Sequence, residues 1–248
     1  MAVKECLIMD SENSNSSDTK QSHPGDFVPS TSVREAMCHY DTKRAAKRFA
    51  SKVPGTATDR REKKCVEKAL DLANIPQGAS VLDLPCGAGR LLPLLKKRGY
   101  KITGADVSAS MVEEARHYAG SGGENCLDET DDLVVANIFQ TGFNDNRFDA
   151  VICHRLFQYF PDSQERRQAL KELRRICSGP IIVSFLCNWA VDAIPFYIKK
   201  VIFGRKARGC MPISCATFAK DARESGLIVE KWIAMRPLIS KRWYVILR

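Results

Sequence analysis

The stretch Val81-Leu82-Asp83-Leu84-Pro85-Cys86-Gly87-Ala88-Gly89-Arg90 sets two glycines between a short apolar run and an amphipathic one. Without a β-carbon, Gly87 and Gly89 let the backbone approach a ligand closely and adopt positive φ. Amides exposed at the start of the next helix favour an acceptor group on that ligand. A plain tight connection would use the same residues, so the turn alone decides nothing. Asp106 adds a second signal, because it ends the next apolar run within Gly104-Ala105-Asp106-Val107-Ser108. An acid about 20 positions after such a turn is placed to accept hydrogen bonds from ribose hydroxyls. It could instead cap the helix that follows, but Ser108 stands directly before that helix and suits the cap better. Turn and acid together point to a cofactor that carries a nucleoside. A pyrophosphate-binding turn normally has a third glycine, and Leu92 occupies that position.

A second group of candidates follows later apolar runs. Cys153-His154-Arg155 comes after the fourth and Asn188 after the fifth. Ligand-contacting groups gather at the C-terminal ends of strands in open α/β sheets. The imidazole of His154 suits proton removal near neutral pH, and is equally suited to packing or to touching a cofactor. Arg155 could bind an anionic acceptor or pair with a surface acid. Cys86 is small and apolar enough to pack within the turn. The ten cysteines are scattered with no Cys-x-x-Cys pair. Cys210 and Cys215 have no histidine nearby, so no zinc site is expected.

These residues need a scaffold that returns the chain repeatedly to one edge. Apolar runs at 80–84, 101–105, 133–136, 148–153, 180–185, 227–235 and 242–247 are expected as strands. Helices are expected from near Arg90, from Ala109 to just before Gly120, over 163–177, and over 214–225 with Gly226 as the stop. Such alternation calls for a parallel sheet covered on both faces. The last two strands have no helix between them and should form an antiparallel hairpin. Upstream, residues 1–32 are rich in Ser, Asn and Asp and are expected as a disordered leader. Residues 33–75 are expected as a basic helical cap on one domain spanning 33–248. Its second helix, over about 59–73, carries Val66, Ala69, Leu70 and Ala73 on one face.

The stretch 81–90 resembles motif I of the class I S-adenosylmethionine-dependent methyltransferases, usually Asp or Glu-x-Gly-x-Gly-x-Gly. Asp83 is the opening acid, Gly87 and Gly89 are the later glycines, and Pro85 replaces the first. Asp106-Val107-Ser108, with Met111 following, is similar to the second motif, whose acid holds both ribose hydroxyls. Ala136-Asn137-Ile138 falls where many members touch the adenine, and the Asn137 carbonyl could bond its amino group. Residues 146–153 are similar to the fourth-strand motif, Phe-Asp-x-Val. Residues 169–176 and 214–226 look like helices of the small-molecule group that includes ubiquinone-biosynthesis enzymes. The likeness runs over residues 40–248.

The resemblance implies a Rossmann-like seven-stranded α/β sheet of order 3-2-1-4-5-7-6, strand 7 antiparallel, with helices on both faces. It implies S-adenosyl-L-methionine as cofactor, held by Asp83, Gly87, Gly89, Asp106, Val107, Met111, Asn137, Ile138 and Cys153. His154 is then the expected general base, and Tyr40, Arg155 and Asn188 the expected acceptor contacts. Tyr40 would help to close over the cofactor. The implied reaction is in-line displacement of the sulfonium methyl by a nucleophile.

Composition narrows the acceptor less. The net charge of +9, from 38 Lys and Arg against 29 Asp and Glu, favours an anionic partner without choosing one. A small molecule, aromatic or lipid-like, is the expected acceptor, read by the apolar and basic segment 191–208. A cofactor-binding assembly or regulatory protein is one alternative. An RNA or protein methyltransferase using the basic helices is another, and no Asn or Asp-Pro-Pro-Tyr or Phe segment follows strand four to favour base methylation. Residues 181–198 are apolar, but Ser184, Asn188, Asp192 and Pro195 interrupt them. One central Asp costs about 3 kcal/mol on insertion scales, so a buried strand and helix fit better than a membrane span. Lys199, Lys200, Arg205, Lys206 and Arg208 keep peripheral membrane contact as the lesser reading. No secretory leader is expected, and reduced thiols point to the cytoplasm.

Overall fold

The computed structural model describes residues 27–31, 33–34, 42–52, 55–121, 127–128, 131–188, 211–237 and 239–248. Most of the expected leader, Tyr40 and the whole of segment 191–208 lie outside the described residues. Phe27, within that leader, packs its ring 5.0 Å from Phe139, and the Ser30 amide donates to Glu165 at 2.9 Å.

Seven strands form one sheet: β1 Ser80–Asp83, β2 Lys101–Asp106, β3 Asp132–Val135, β4 Ala150–Cys153, β5 Ile181–Leu186, β6 Val229–Ala234 and β7 Arg242–Leu247. Their order is β3-β2-β1-β4-β5-β7-β6, as expected. The first five pair in parallel, whereas β7 lies antiparallel to both β5 and β6. The expected fourth strand is shorter than its apolar run, because Phe148 only bridges to Cys177 before the ladder begins at Ala150.

Alternation along the strands divides the core into two layers. Leu82, Val151, Ile181, Val183, Phe185, Val245 and Leu247 face one side. There they meet Ala169, Leu170, Leu173 and Ile176, as well as Phe218 and Ala222. Val81, Ile102, Ala150, Ile152, Ile182, Tyr244 and Ile246 face the other side, against Val66, Leu70, Leu92, Leu95, Val112 and Ala115. The helices around the sheet include α1 Lys43–Lys52, α2 Ala57–Ala73, α3 Leu92–Lys97, α4 Ala109–Ser121, α5 Ser163–Ile176 and α6 Cys215–Glu224. Thus α5 and α6 cover one face, and α2, α3 and α4 the other.

Helix α2 matters most to the site. Thr56 caps it by accepting from the Asp59 amide at 3.1 Å, and Asn74 ends it in the left-handed region at φ 52°. Its buried face reads Asp59, Glu62, Cys65, Val66, Ala69, Leu70 and Ala73. Two carboxylates therefore sit at the head of an apolar stripe, aimed into the molecule.

Candidate active site

Strand β1 delivers the chain to the turn with Asp83 almost fully enclosed at 1% exposure. The turn begins with a cis Leu84–Pro85 peptide, and the Cys86 amide donates to the Ala105 carbonyl at 2.8 Å, tying it to β2. Gly87 and Gly89 both adopt positive φ, 53° and 79°. At Gly89 a β-carbon would lie 2.9 Å from Leu92 Cδ1 and 3.3 Å from Ala115 Cα. Backbone strain and crowding act together, so Gly89→Ala should lose about 2–4 kcal/mol of stability, measurable by urea unfolding. An unchanged midpoint would contradict this.

Asp106 ends β2 and is held from two sides. The Gly87 amide donates to its Oδ2 at 3.0 Å and the Ser108 amide to its Oδ1 at 3.0 Å. Ser108 Oγ in turn accepts from the Met111 amide at 3.2 Å, so the serine caps α4 and the acid is not spent on that task. The two sequence signals, turn and acid, are thus in direct contact.

Asp83 lies behind this contact. Neither carboxyl oxygen has a hydrogen-bond partner among the described residues. Burial pushes its pKa up to about 8; Asp106 adds to the rise and Arg90 opposes it. A buried carboxyl beside a second carboxylate suits a cationic ligand, which would supply the missing counter-charge. The chemistry of this donor set therefore fits a sulfonium or ammonium group above the turn.

The other expected residues surround the same strand ends. Val107 is half-buried and follows Asp106 directly. Met111 is buried against Ala46 and Ala88, joining α4 to α1 and the turn. Ile138 is buried, and Asn137 Oδ1 accepts from the Phe139 amide at 3.0 Å, which orients its side-chain amide. Cys153 is fully buried at the end of β4, and burial pushes its thiol pKa far up, as it does that of Cys86. Asn188 follows β5; its amide donates to the Ile213 carbonyl at 3.0 Å, and its Oδ1 is buried without a partner among the described residues.

His154 is 5% exposed and stands in a polar cluster that sequence reasoning missed. Arg90 Nη1 donates to Asp59 Oδ1 at 2.5 Å and to Glu62 Oε2 at 3.0 Å. Its Nη2 is 2.5 Å from His154 Nε2. Arg90 is a permanent donor, so Nε2 accepts and the imidazole proton sits on Nδ1, 3.2 Å from Ser184 Oγ. Burial brings the His154 pKa down to about 3, Glu62 resisting and Arg90 and Arg242 assisting. On Glu62, burial alone would raise the pKa; His154 when protonated, and the Arg242 and Arg155 guanidiniums beside it, outweigh burial and hold it below its ordinary value. With His154 neutral, the guanidinium groups hold that carboxylate charged. Arg242 Nε lies 2.9 Å and Arg155 Nε 3.4 Å from Glu62 Oε1. The Tyr244 ring stacks on His154 at 5.6 Å.

Arg155 completes this cluster from a rare backbone conformation, φ 64°, which an L side chain adopts at a cost. Its amide donates to Ser184 Oγ at 2.8 Å, and its side chain is 28% exposed. The signal for the cluster was present in the sequence: Asp59 and Glu62 share the i, i+3, i+4 stripe of Val66, Ala69 and Ala73. A cleft of about 870 Å³ lies elsewhere, near Asn146, Arg174, Ser178, Ile181 and Arg248 at the opposite ends of the strands. None of the expected site residues lines it. Among the described residues no group of three potential metal ligands occurs, and no helix is long and apolar enough to cross a membrane.

A family described as a methyltransferase domain matches residues 82–179. A ubiquinone biosynthesis O-methyltransferase of Coxiella burnetii is 31% identical over 101 residues, 41% of this chain and 39% of that one. Another, from Actinobacillus pleuropneumoniae, is 31% identical over 98 residues, 39% of this chain and 41% of that one. The chain thus spans about two fifths of the length of the curated relatives it matches. Among solved structures, magnesium protoporphyrin IX methyltransferase from Synechocystis PCC 6803 with bound SAH has a TM-score of 0.69 at 16% identity. That match covers 86% of this chain and 98% of the other, and it is a likeness of fold.

Proposed function

We propose that this chain, whose residues 82–179 match a methyltransferase domain, is a class I S-adenosylmethionine-dependent methyltransferase that transfers a methyl group to a small anionic acceptor. The observation that carries the reading is the contact of the glycine turn with Asp106, backed by the unpartnered Asp83. When bound, S-adenosylmethionine supplies a methyl group activated by a positively charged sulfur. Asp106, its plane fixed by two amides, accepts from the ribose hydroxyls. Gly87 lets the backbone approach, while Val107, Met111, Asn137, Ile138 and Cys153 line the adenosyl side. Asp83 offsets the positive charge.

On the acceptor side, two carboxylates meet three guanidiniums, so the cluster carries excess positive charge. Arg155 is its partly exposed member and orients an anionic group, and Asn188 accepts a hydrogen bond from the acceptor. His154, expected as the base, serves instead as a positioning residue: its Nε2 is committed to Arg90 and its ring is enclosed. Alignment and exclusion of water then account for most of the rate. Charge balance near the acceptor also favours a small anionic molecule over an RNA, which would need an extended basic face.

Labelled methyl donor incubated with the chain and a metabolite extract tests this reading. Label should enter the small-molecule fraction. Label found only in RNA or protein, or no transfer at all, would overturn it. Asp83 gives a further expectation. It is protonated in the free chain below about pH 8 and should ionise against a bound cation, so binding releases a proton. Affinity for S-adenosylmethionine should rise up to about tenfold per pH unit between pH 6 and 8 and then level off. Calorimetry on Asp83→Asn should show that dependence gone; the same slope in the variant would remove Asp83 from the site.

A further inference from the structure

Cys187 and Cys215 meet where the end of β5 faces the start of α6, with their sulfurs 3.3 Å apart. Cys187 is fully buried, and Cys215 is partly exposed. Both are presented by anchored backbone. The Ile213 amide donates to Leu186 at 2.8 Å, and the Cys187 amide to Lys241 at 2.6 Å. Ser214 caps α6 by accepting from the Thr217 amide at 2.9 Å. A disulfide has its sulfurs about 2.05 Å apart, so roughly 1.3 Å of further approach is needed. Cys86 and Cys177 differ, each directing its thiol at a backbone carbonyl.

We propose that Cys187 and Cys215 form a modification site, a dithiol that glutathione disulfide or a similar small disulfide converts into an internal disulfide. The Cys215 thiolate attacks one sulfur of the small disulfide, forming a mixed disulfide and releasing one small thiol. Cys187, losing its proton, then attacks the Cys215 sulfur and releases the second small thiol. The chain loses two electrons and two protons, and the small disulfide takes up both to become two thiols. Entry is at Cys215, the accessible partner, with Cys187 resolving. Burial, with the Cys187 thiol beside it, pushes the Cys215 pKa up to about 12. The exchange is therefore slow at neutral pH and quickens as pH rises. Once formed, the bond ties the residue before Asn188 to α6 and closes the chain between 187 and 215.

The full chain is incubated with glutathione disulfide across pH 7 to 9 and examined by intact mass and by peptide mapping without reduction. The expected result is a loss of two hydrogen masses and a linked peptide joining Cys187 to Cys215, reversed by dithiothreitol. The melting temperature should rise by about 5–15 °C, because the closed loop restricts the unfolded chain. Cys215→Ser should keep the fold and lose the linked peptide and the rise; Cys187→Ser, checked by circular dichroism, should do the same. A lasting glutathione adduct on Cys215 with no linked peptide would overturn the proposal. So would a link to Cys210 in its place, or the same rise in Cys215→Ser.

Discussion

Asp106→Ala should raise the dissociation constant for S-adenosylmethionine at least a hundredfold, read by calorimetric titration. Each hydrogen bond from a ribose hydroxyl to a carboxylate contributes about 1.5–3 kcal/mol. Two of them sum to about 3–6 kcal/mol, and every 1.4 kcal/mol is tenfold in affinity. The carboxylate has a second duty that increases the loss. Its oxygens hold the amides of Gly87 and Ser108, so the alanine variant also frees the turn and the head of α4. Asp106→Asn separates the two duties. It keeps one carbonyl acceptor and loses the charge, and should fall between parent and alanine variant. Parent-like binding by Asp106→Ala would remove the ribose contact and, with it, the adenosyl reading of the turn.

That prediction was open to a reader of the sequence because the turn and its acid are close along the chain and fixed by local geometry. Glycines at 87 and 89, an apolar run on either side and an acid at the end of the second run need no knowledge of distant contacts. The sheet was legible for a related reason. Buried parallel strands leave continuous apolar runs, and two runs with no helix between them have only a hairpin open to them. What escaped notice depends on residues far apart in sequence. Glu62 meets Arg90, His154 and Arg242 only because α2 lies across the turn and β7 enters the sheet antiparallel beside β5. Sequence spacing drew Cys215 toward Cys210, whereas the fold sets it against Cys187, 28 positions away. His154 shows the same limit. Its position at the end of β4 was legible, and its enclosure between Arg90 and Tyr244 was not.

Glu62→Gln should be the most damaging single change away from the ligand. The carboxylate is fully buried among Arg90, Arg155 and Arg242, and the amide takes away the negative charge that all three guanidiniums face. Removing one partner of a buried ion pair typically costs about 3–5 kcal/mol, because the remaining charge is left without compensation. Acid should act on the same place. The Glu62 pKa is held below its ordinary 4.5 in the fold, so its stabilisation is complete above 4.5 and is lost as pH falls through that lowered value. His154, neutral in the fold with its pKa near 3 against 6.5, contributes fully above pH 6.5 and loses that contribution between 6.5 and 3. Asp83, raised to about 8 from 3.8, runs in the opposite sense: its contribution is present below 3.8 and lost as pH rises to 8. The difference between parent and Glu62→Gln, measured by urea unfolding from pH 7 down to 3, isolates the Glu62 part. It should be about 3–5 kcal/mol at pH 7 and shrink steadily below pH 4.5. A difference under about 1 kcal/mol, constant with pH, would mean that the guanidiniums re-pair without Glu62. Because Arg90 directly follows Gly89, a loosened cluster should also loosen the turn. Glu62→Gln is therefore expected to weaken S-adenosylmethionine binding through Arg90, without a contact of its own.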